Sequence, residues 1–181
     1  MKDLKEYNIS FVGLKEGNHE FTYQIDNTFF TKFQFEEFNE ANVNIHIDFV
    51  KKSTLMELIF TANGYVNVPC DITSEPYNQD LEGKFKLIVK FGPEFNDEDD
   101  EILILPHEEY QLNVAQYIYE LIVLSVPSKR IHPDVLNGTM ESDTLKKLKE
   151  LEINKEKTVD NKSTTDPRWD KLKDLLTGKN T

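Results

Sequence analysis

The sequence predicts an α+β fold: a curled antiparallel sheet, open and barrel-like, with one packed apolar helix and a C-terminal helix on a flexible linker. Three observations carry this. Period-two alternation of apolar and polar residues recurs through the first half of the chain, with short turns between the runs. One nearly chargeless helical stretch occupies residues 112–126. The only Trp stands beyond a polar tract that has no apolar period. The organisation that follows is a single α+β domain over residues 1–135, a charged helix and flexible linker over 136–165, and a docking helix over 166–177.

The elements follow in order. Residues 7–14 read as a strand, and residues 17–25 as a second one entered through a glycine turn. Asp26 caps a short helix over 27–35 that carries Phe29, Phe30 and Phe33 on one side. Residues 43–50 alternate cleanly, with apolar side chains at 43, 45, 47 and 49. A strand over 55–62 meets Asn63-Gly64, a tight-turn signal or a bulge, and continues over 65–70 to a Pro stop. Residues 73–76 form a loop, and 83–91 alternate again before Gly92-Pro93.

Next come the acidic run at 96–101, a short strand at 102–105, and the apolar helix of 112–126, with Asn113 as its cap and Pro127 as its stop. Residues 142–152 suit a charged helix, and 152–165 a linker. In the tail, Asp166 caps, Pro167 takes the first turn, and Trp169, Leu172, Leu175 and Leu176 share a helical face. So short a helix is marginal alone in water and needs a surface to dock on, whether its own domain or a partner.

Composition excludes several classes. The chain has 181 residues, 21 Lys+Arg against 33 Asp+Glu, and a net charge of -12. Such a field repels nucleic acid, whose binding draws on excess cations, and attracts basic surfaces. No apolar run approaches the ~20 residues of a membrane span, and the N-terminus lacks a signal peptide's apolar stretch. One Cys, Cys70, fits a reducing, cytoplasmic setting.

Catalytic and metal chemistry find little support. Cys70 reads as a small, partly buried residue at a strand end. His19, His46, His107 and His132 are scattered without ligand spacing. The run Asp97, Glu98, Asp99, Asp100, Glu101 lacks the spaced ligands and central Gly of an EF-hand loop. No phosphate-cradling Gly pattern and no Ser/His/Asp set can be assembled. The expectation is no enzyme, no cofactor, no metal and no small-molecule substrate.

Three segments line up in order: Val68-Pro69-Cys70-Asp71-Ile72-Thr73; the acidic stretch leading through 102–105 to the helix that closes Leu121-Ile122-Val123-Leu124-Ser125-Val126-Pro127; and the tail Asp166-Pro167-Arg168-Trp169-Asp170-Lys171-Leu172. Over roughly residues 50–176 this resembles the YceD family, the large ribosomal RNA subunit accumulation proteins. Where that family often has Cys-x-x-Cys, this chain has Cys70-Asp71-Ile72-Thr73, so a thiolate zinc site, which needs about four ligands, does not carry over. The resemblance implies a non-enzymatic cytosolic factor that supports large-subunit biogenesis and accumulation of its rRNA.

Joined to the acidity, this gives an expected mechanism. A basic ribosomal protein or assembly factor is held through Asp97, Glu98, Asp99, Asp100 and Glu101, with Glu108 and Glu109 extending the patch. Arg168, Trp169 and Leu172 are partner-binding candidates in the tail, where Trp169 would serve as anchor. One alternative is direct rRNA contact by Lys84, Lys86 and Lys90, which share strand parity, aided by Lys51, Lys52 and the tail. Another is a barrel that binds a small ligand in an apolar cavity.

Overall fold

The structure, a computed structural model, describes residues 4–158. The chain divides into two compact units, Met1–Pro133 and Asp134–Thr181.

In the first unit, a 3-10 turn at Lys5–Tyr7 leads into β1 (Asn8–Ser10), followed by β2 (Gly17–Ile25) and α1 (Asn27–Lys32). Three long strands come next: β3 (Glu40–Lys51), β4 (Leu55–Pro69) and β5 (Pro76–Gly92). The remainder comprises β6 (Asn96–Asp99), β7 (Ile102–Pro106), β8 (Gln111–Asn113) and α2 (Ala115–Ser125). Among the described residues, β1 pairs only with β8. The other six strands form one open sheet in the order β2-β3-β4-β5-β7-β6.

This corrects the expected fold class. The sheet is mixed and neither closed nor curled. β2 through β5 are antiparallel, β5 and β7 run parallel, and β6 pairs antiparallel with β7 at the far edge. A short turn does reverse the chain after Gly92, but the reversed strand skips a place in the sheet. β6 lies one position out, and β7 hairpins back into the gap beside β5. Short connections report reversal, and they do not report adjacency. The acidic run at 96–101 is thus largely strand β6, the predicted helix of 112–126 is shortened by β8 at its start, and the strand predicted over 7–14 is a turn plus three residues.

Alternation decides which face is buried. Ala41, Val43, Ile45, Ile47 and Phe49 of β3 point to one side with Met56, Leu58, Phe60, Ala62, Val66 and Val68 of β4. Tyr77, Leu81, Leu87 and Val89 of β5 and Leu103 and Leu105 of β7 continue that face. Asn63-Gly64 is neither turn nor bulge, because the even parity of β4 runs through it unbroken. Gly64 lies opposite Val43 at φ +154, and a Cβ there would sit 2.1 Å from the Asn42 carbonyl oxygen. The glycine is therefore required by close strand approach.

α1 starts where Asp26 accepts the Thr28 N–H at 2.9 Å. It brings Phe29 and Phe30, both buried, into an aromatic cluster with Phe33, Phe35, Phe38 and Tyr119, in which Phe33 and Tyr119 stack at 4.5 Å. α2 has eleven residues, with Ala115, Ile118, Leu121 and Ile122 buried. It lies over β5 at a residue without a side chain: a Cβ on Gly83 would meet Ser125 Oγ at 2.1 Å and Leu121 Cδ1 at 3.0 Å.

Within the second unit, α4 (Asp143–Thr158) follows the short α3 (Pro133–Leu136) and runs beyond the 142–152 helix that the pattern predicts. Ser142 caps it, its hydroxyl accepting the Leu145 N–H at 3.2 Å. Among the described residues, no helix is long and apolar enough to cross a membrane.

Gly64→Ala should lower unfolding stability by at least about 2 kcal/mol, since positive φ and a backbone clash add. Urea denaturation measures it. An unchanged midpoint would show that β3 and β4 are not in close register here.

Candidate functional site: an acidic cleft beside α2

A cleft of about 1070 Å³ opens between α2, β5 and the β6–β7 hairpin. Its apolar lining comes from elements far apart in sequence: Phe85 of β5, Leu103 and Leu105 of β7, Leu112 of β8, and Tyr117, Leu121 and Leu124 of α2. Tyr117 stacks on Phe85 at 6.1 Å and 13°. Two large apolar side chains in the lining meet solvent, Leu124 at 82% and Phe95 at 57% exposure.

The rim is acidic. Among the described residues, Asp97, Asp99, Asp100, Glu109 and Glu120 line the cleft, against one cation, Lys84. Asp99 and Asp100 are set by a turn in which Asp99 accepts the Glu101 N–H at 2.9 Å. Asn96 likewise accepts the Glu98 N–H at 3.1 Å. Glu120 accepts from Gln116 Nε2 at 2.6 Å, one helical turn away. At the helix start, Asn113 Oδ1 accepts the Ala115 N–H at 3.0 Å while its amide donates to the Leu4 carbonyl at 2.9 Å, which pins the N-terminal turn to the cleft.

Burial pushes the Tyr117 phenol up to about 12, and the negative charges of Asp97 and Glu120 add to the effect. The cleft thus combines an apolar floor with a negative border, an arrangement that suits a ligand carrying both apolar and cationic groups. Among the described residues that line it there is no nucleophile–base pair.

The other sequence candidates fall in three places. Lys84, Lys86 and Lys90 do share the solvent face of β5, as their parity predicts. Lys86 lies 3.8 Å from Glu57, and Lys52 bonds that same carboxylate at 2.6 Å. Lys51 is not part of a basic face, because its ammonium donates to the Phe11 and Leu14 carbonyls at 2.8 Å. Glu98 and Glu101 lie outside the cleft lining, whereas Asp97, Asp99 and Asp100 join Glu109 there. Arg168, Trp169 and Leu172 lie outside the described residues.

Cys70 is buried and accepts the His132 N–H at Sγ, 3.3 Å. Burial pushes its thiol up, and the donors from His132 and Thr73 outweigh that, so its pKa falls below the ordinary value. Asp71 beside it bonds the Arg130 N–H at 2.7 Å. These contacts fasten the end of β4 to the segment after α2, a structural role. On the open face, Glu20, His46 and Asp48 place their donor atoms within 4.8 Å of one another, and His46 Nε2 meets Asp48 Oδ1 at 3.1 Å, both substantially exposed.

The family model described as large ribosomal RNA subunit accumulation protein YceD matches residues 58–176, well over half of the sequence. The chain belongs to the YceD family. Neither the curated proteins nor the solved structures contain a match. The YceD match begins inside β4 and spans every strand and helix that walls the cleft, apart from the contacts of Leu4 and Asn8. β1, β2, β3 and the Glu20–His46–Asp48 grouping precede it. YceD proteins are non-catalytic accessory factors. Sequence reasoning missed the floor residues Phe85, Leu103, Tyr117 and Leu121; the available signals were Leu124 on a helix whose one charge is Glu120, and Phe95 abutting the acidic run.

Tyr117 supplies a test of the cleft electrostatics. Its folded pKa lies above the ordinary value of 10, so the stability it contributes is complete below pH 10 and lost as pH rises through about 12. Tyrosinate absorbance during alkaline titration should show a late-ionising component near pH 12 to which Tyr7 and Tyr117 both contribute, and Tyr117→Phe should diminish it by one tyrosine. Asp97→Asn with Glu120→Gln should move Tyr117 only slightly downward, burial being the larger cause. Loss of that tyrosine's amplitude from the ordinary range near pH 10, with the late component intact, would refute this placement.

Proposed function

We propose that this YceD-family protein serves large-subunit biogenesis by holding a basic segment of a ribosomal protein or assembly factor in the acidic cleft. The observation that supports the reading is the coincidence in one 1070 Å³ space of an apolar floor with five carboxylates and a single lysine. A protein that meets rRNA carries an excess of Lys and Arg, the opposite charge to this cleft, and a free basic segment with apolar residues needs cover until it is placed. Carboxylates at the rim speed encounter and lose strength with salt, while the apolar floor holds what arrives.

Direct rRNA contact through Lys84, Lys86 and Lys90 has less support. Lys86 is already near Glu57, Lys84 stands at the border of a negative cleft, and the net charge of -12 opposes phosphate.

The test is complementation. In cells that lack the protein, the Asp97→Asn, Asp99→Asn, Asp100→Asn triple variant should fail to restore large-subunit rRNA to the wild-type level. Each exposed charge is worth roughly 0.5 kcal/mol, so the three together weaken partner binding about tenfold. The variant should melt within a few degrees of wild type, since all three side chains are exposed. Full restoration by a folded triple variant overturns the reading. Loss of function on neutralising Lys84, Lys86 and Lys90 instead would favour rRNA contact.

A further inference from the structure

β5 is longer than its neighbour on one side. β4 pairs with it continuously from Pro76 to Lys90, whereas β7 begins only at Ile88. Residues 78–86 therefore present a bare strand edge from the middle of a six-stranded sheet, with no described strand beside it. The direction of the backbone groups follows from parity. The Ile88 N–H reaches the Glu101 carbonyl at 2.8 Å, so the even residues of β5 turn their N–H and C=O toward the β7 side. Glu82, Lys84 and Lys86, all exposed, thus offer backbone donors and acceptors to an incoming chain.

This edge opens into the cleft. Lys84 and Phe85 belong to both, and Ser125 and Leu121 of α2 lie over Gly83. β7, continued backward beside Lys86, leads to Asp99 and Asp100, where the chain turns off to β6. We propose that an extended, basic segment of a partner protein adds to the sheet as a strand along residues 80–86 of β5. Its alternate side chains enter the cleft over Phe85, Tyr117 and Leu124, and those between lie on the open face beside Asp80 and Glu82.

Charge selects this occupant. Along the edge, Asp80 and Glu82 offset Lys84 and Lys86, which leaves the five cleft carboxylates to set the sign. The same four edge charges discourage flat, nonspecific pairing, the ordinary hazard of an open edge. An extended partner also gains a pair of backbone hydrogen bonds at every second residue, which makes recognition tolerant of side-chain identity while the cleft reads apolar and basic character.

The inference rests on the partner-holding reading of the cleft, and the experiment separates the two. The probe is a short peptide alternating lysine and valine, titrated into the full-length protein at low salt. Backbone amide exchange at Glu82, Lys84 and Lys86 should slow about tenfold or more at saturation. Gly83 and Phe85, whose amides point to β4, should change little. The same peptide N-methylated at the edge-facing amides should bind at least tenfold more weakly, each lost hydrogen bond being worth about 1 kcal/mol. Equal binding of the methylated peptide, unchanged exchange at those three amides, or no binding at all overturns strand addition. If the methylated peptide binds as well and Asp97→Asn, Asp99→Asn, Asp100→Asn weakens both, the cleft reading stands and only the edge is wrong.

Discussion

The close contact between α2 and β5 at Gly83 is the constraint on which the site depends. Ser125 Oγ occupies the place a side chain at 83 would need, and Leu121 stands beside it. Ala62, directly across from Gly83 on β4, is itself small and fully buried. This low patch lets the helix settle on the sheet, where Ile118 and Ile122 go completely under cover. With the helix so placed, Tyr117 reaches Phe85 and Phe60, and Leu124 is left standing over open space. The cleft is what remains between a helix held tightly at one end and a hairpin that comes up on the other side.

The hairpin's position is the second half of the argument. Because β6 skips a place and β7 returns to fill it, the acidic run is carried out to the rim of the sheet and faces α2 across the gap. Had β6 paired directly with β5, as a simple meander requires, its acidic residues would lie beside β5 and not at the outer edge of the sheet. The topology therefore produces the charged rim, and the shortness of β6 and β7 against β5 leaves the edge beside residues 78–86. The apolar face of the sheet supplies stability, and its unfilled corner supplies the surface.

Much of the fold was legible because burial on one face writes itself as alternation. Residues 43, 45, 47 and 49 announce β3, and the parity shared by Lys84, Lys86 and Lys90 places them correctly on the solvent face of β5. Asp26 as a cap and Phe29 and Phe30 as core residues were equally clear, since both signals are local. The sheet order was not, because pairing partners are chosen by long-range packing, to which a local turn signal such as Gly92-Pro93 is blind. Asn63-Gly64 misled for a related reason: a pair that favours a tight turn in isolation instead serves the close approach of β3. Of the site, the acidic residues were visible as a run and the floor was not, since Phe85, Leu103 and Tyr117 meet only in three dimensions. Lys51 looked like part of a basic face and is spent on two carbonyls.

The central claim is that the acidic cleft is where this YceD-family protein meets its partner. A photo-crosslinking amino acid at Leu124, exposed at the mouth of the cleft, tests it in living cells. The account predicts crosslinks to a basic ribosomal protein or assembly factor of the large subunit, diminished when Asp97, Asp99 and Asp100 are neutralised. Crosslinks to rRNA alone, or protein crosslinks indifferent to those three charges, would contradict it.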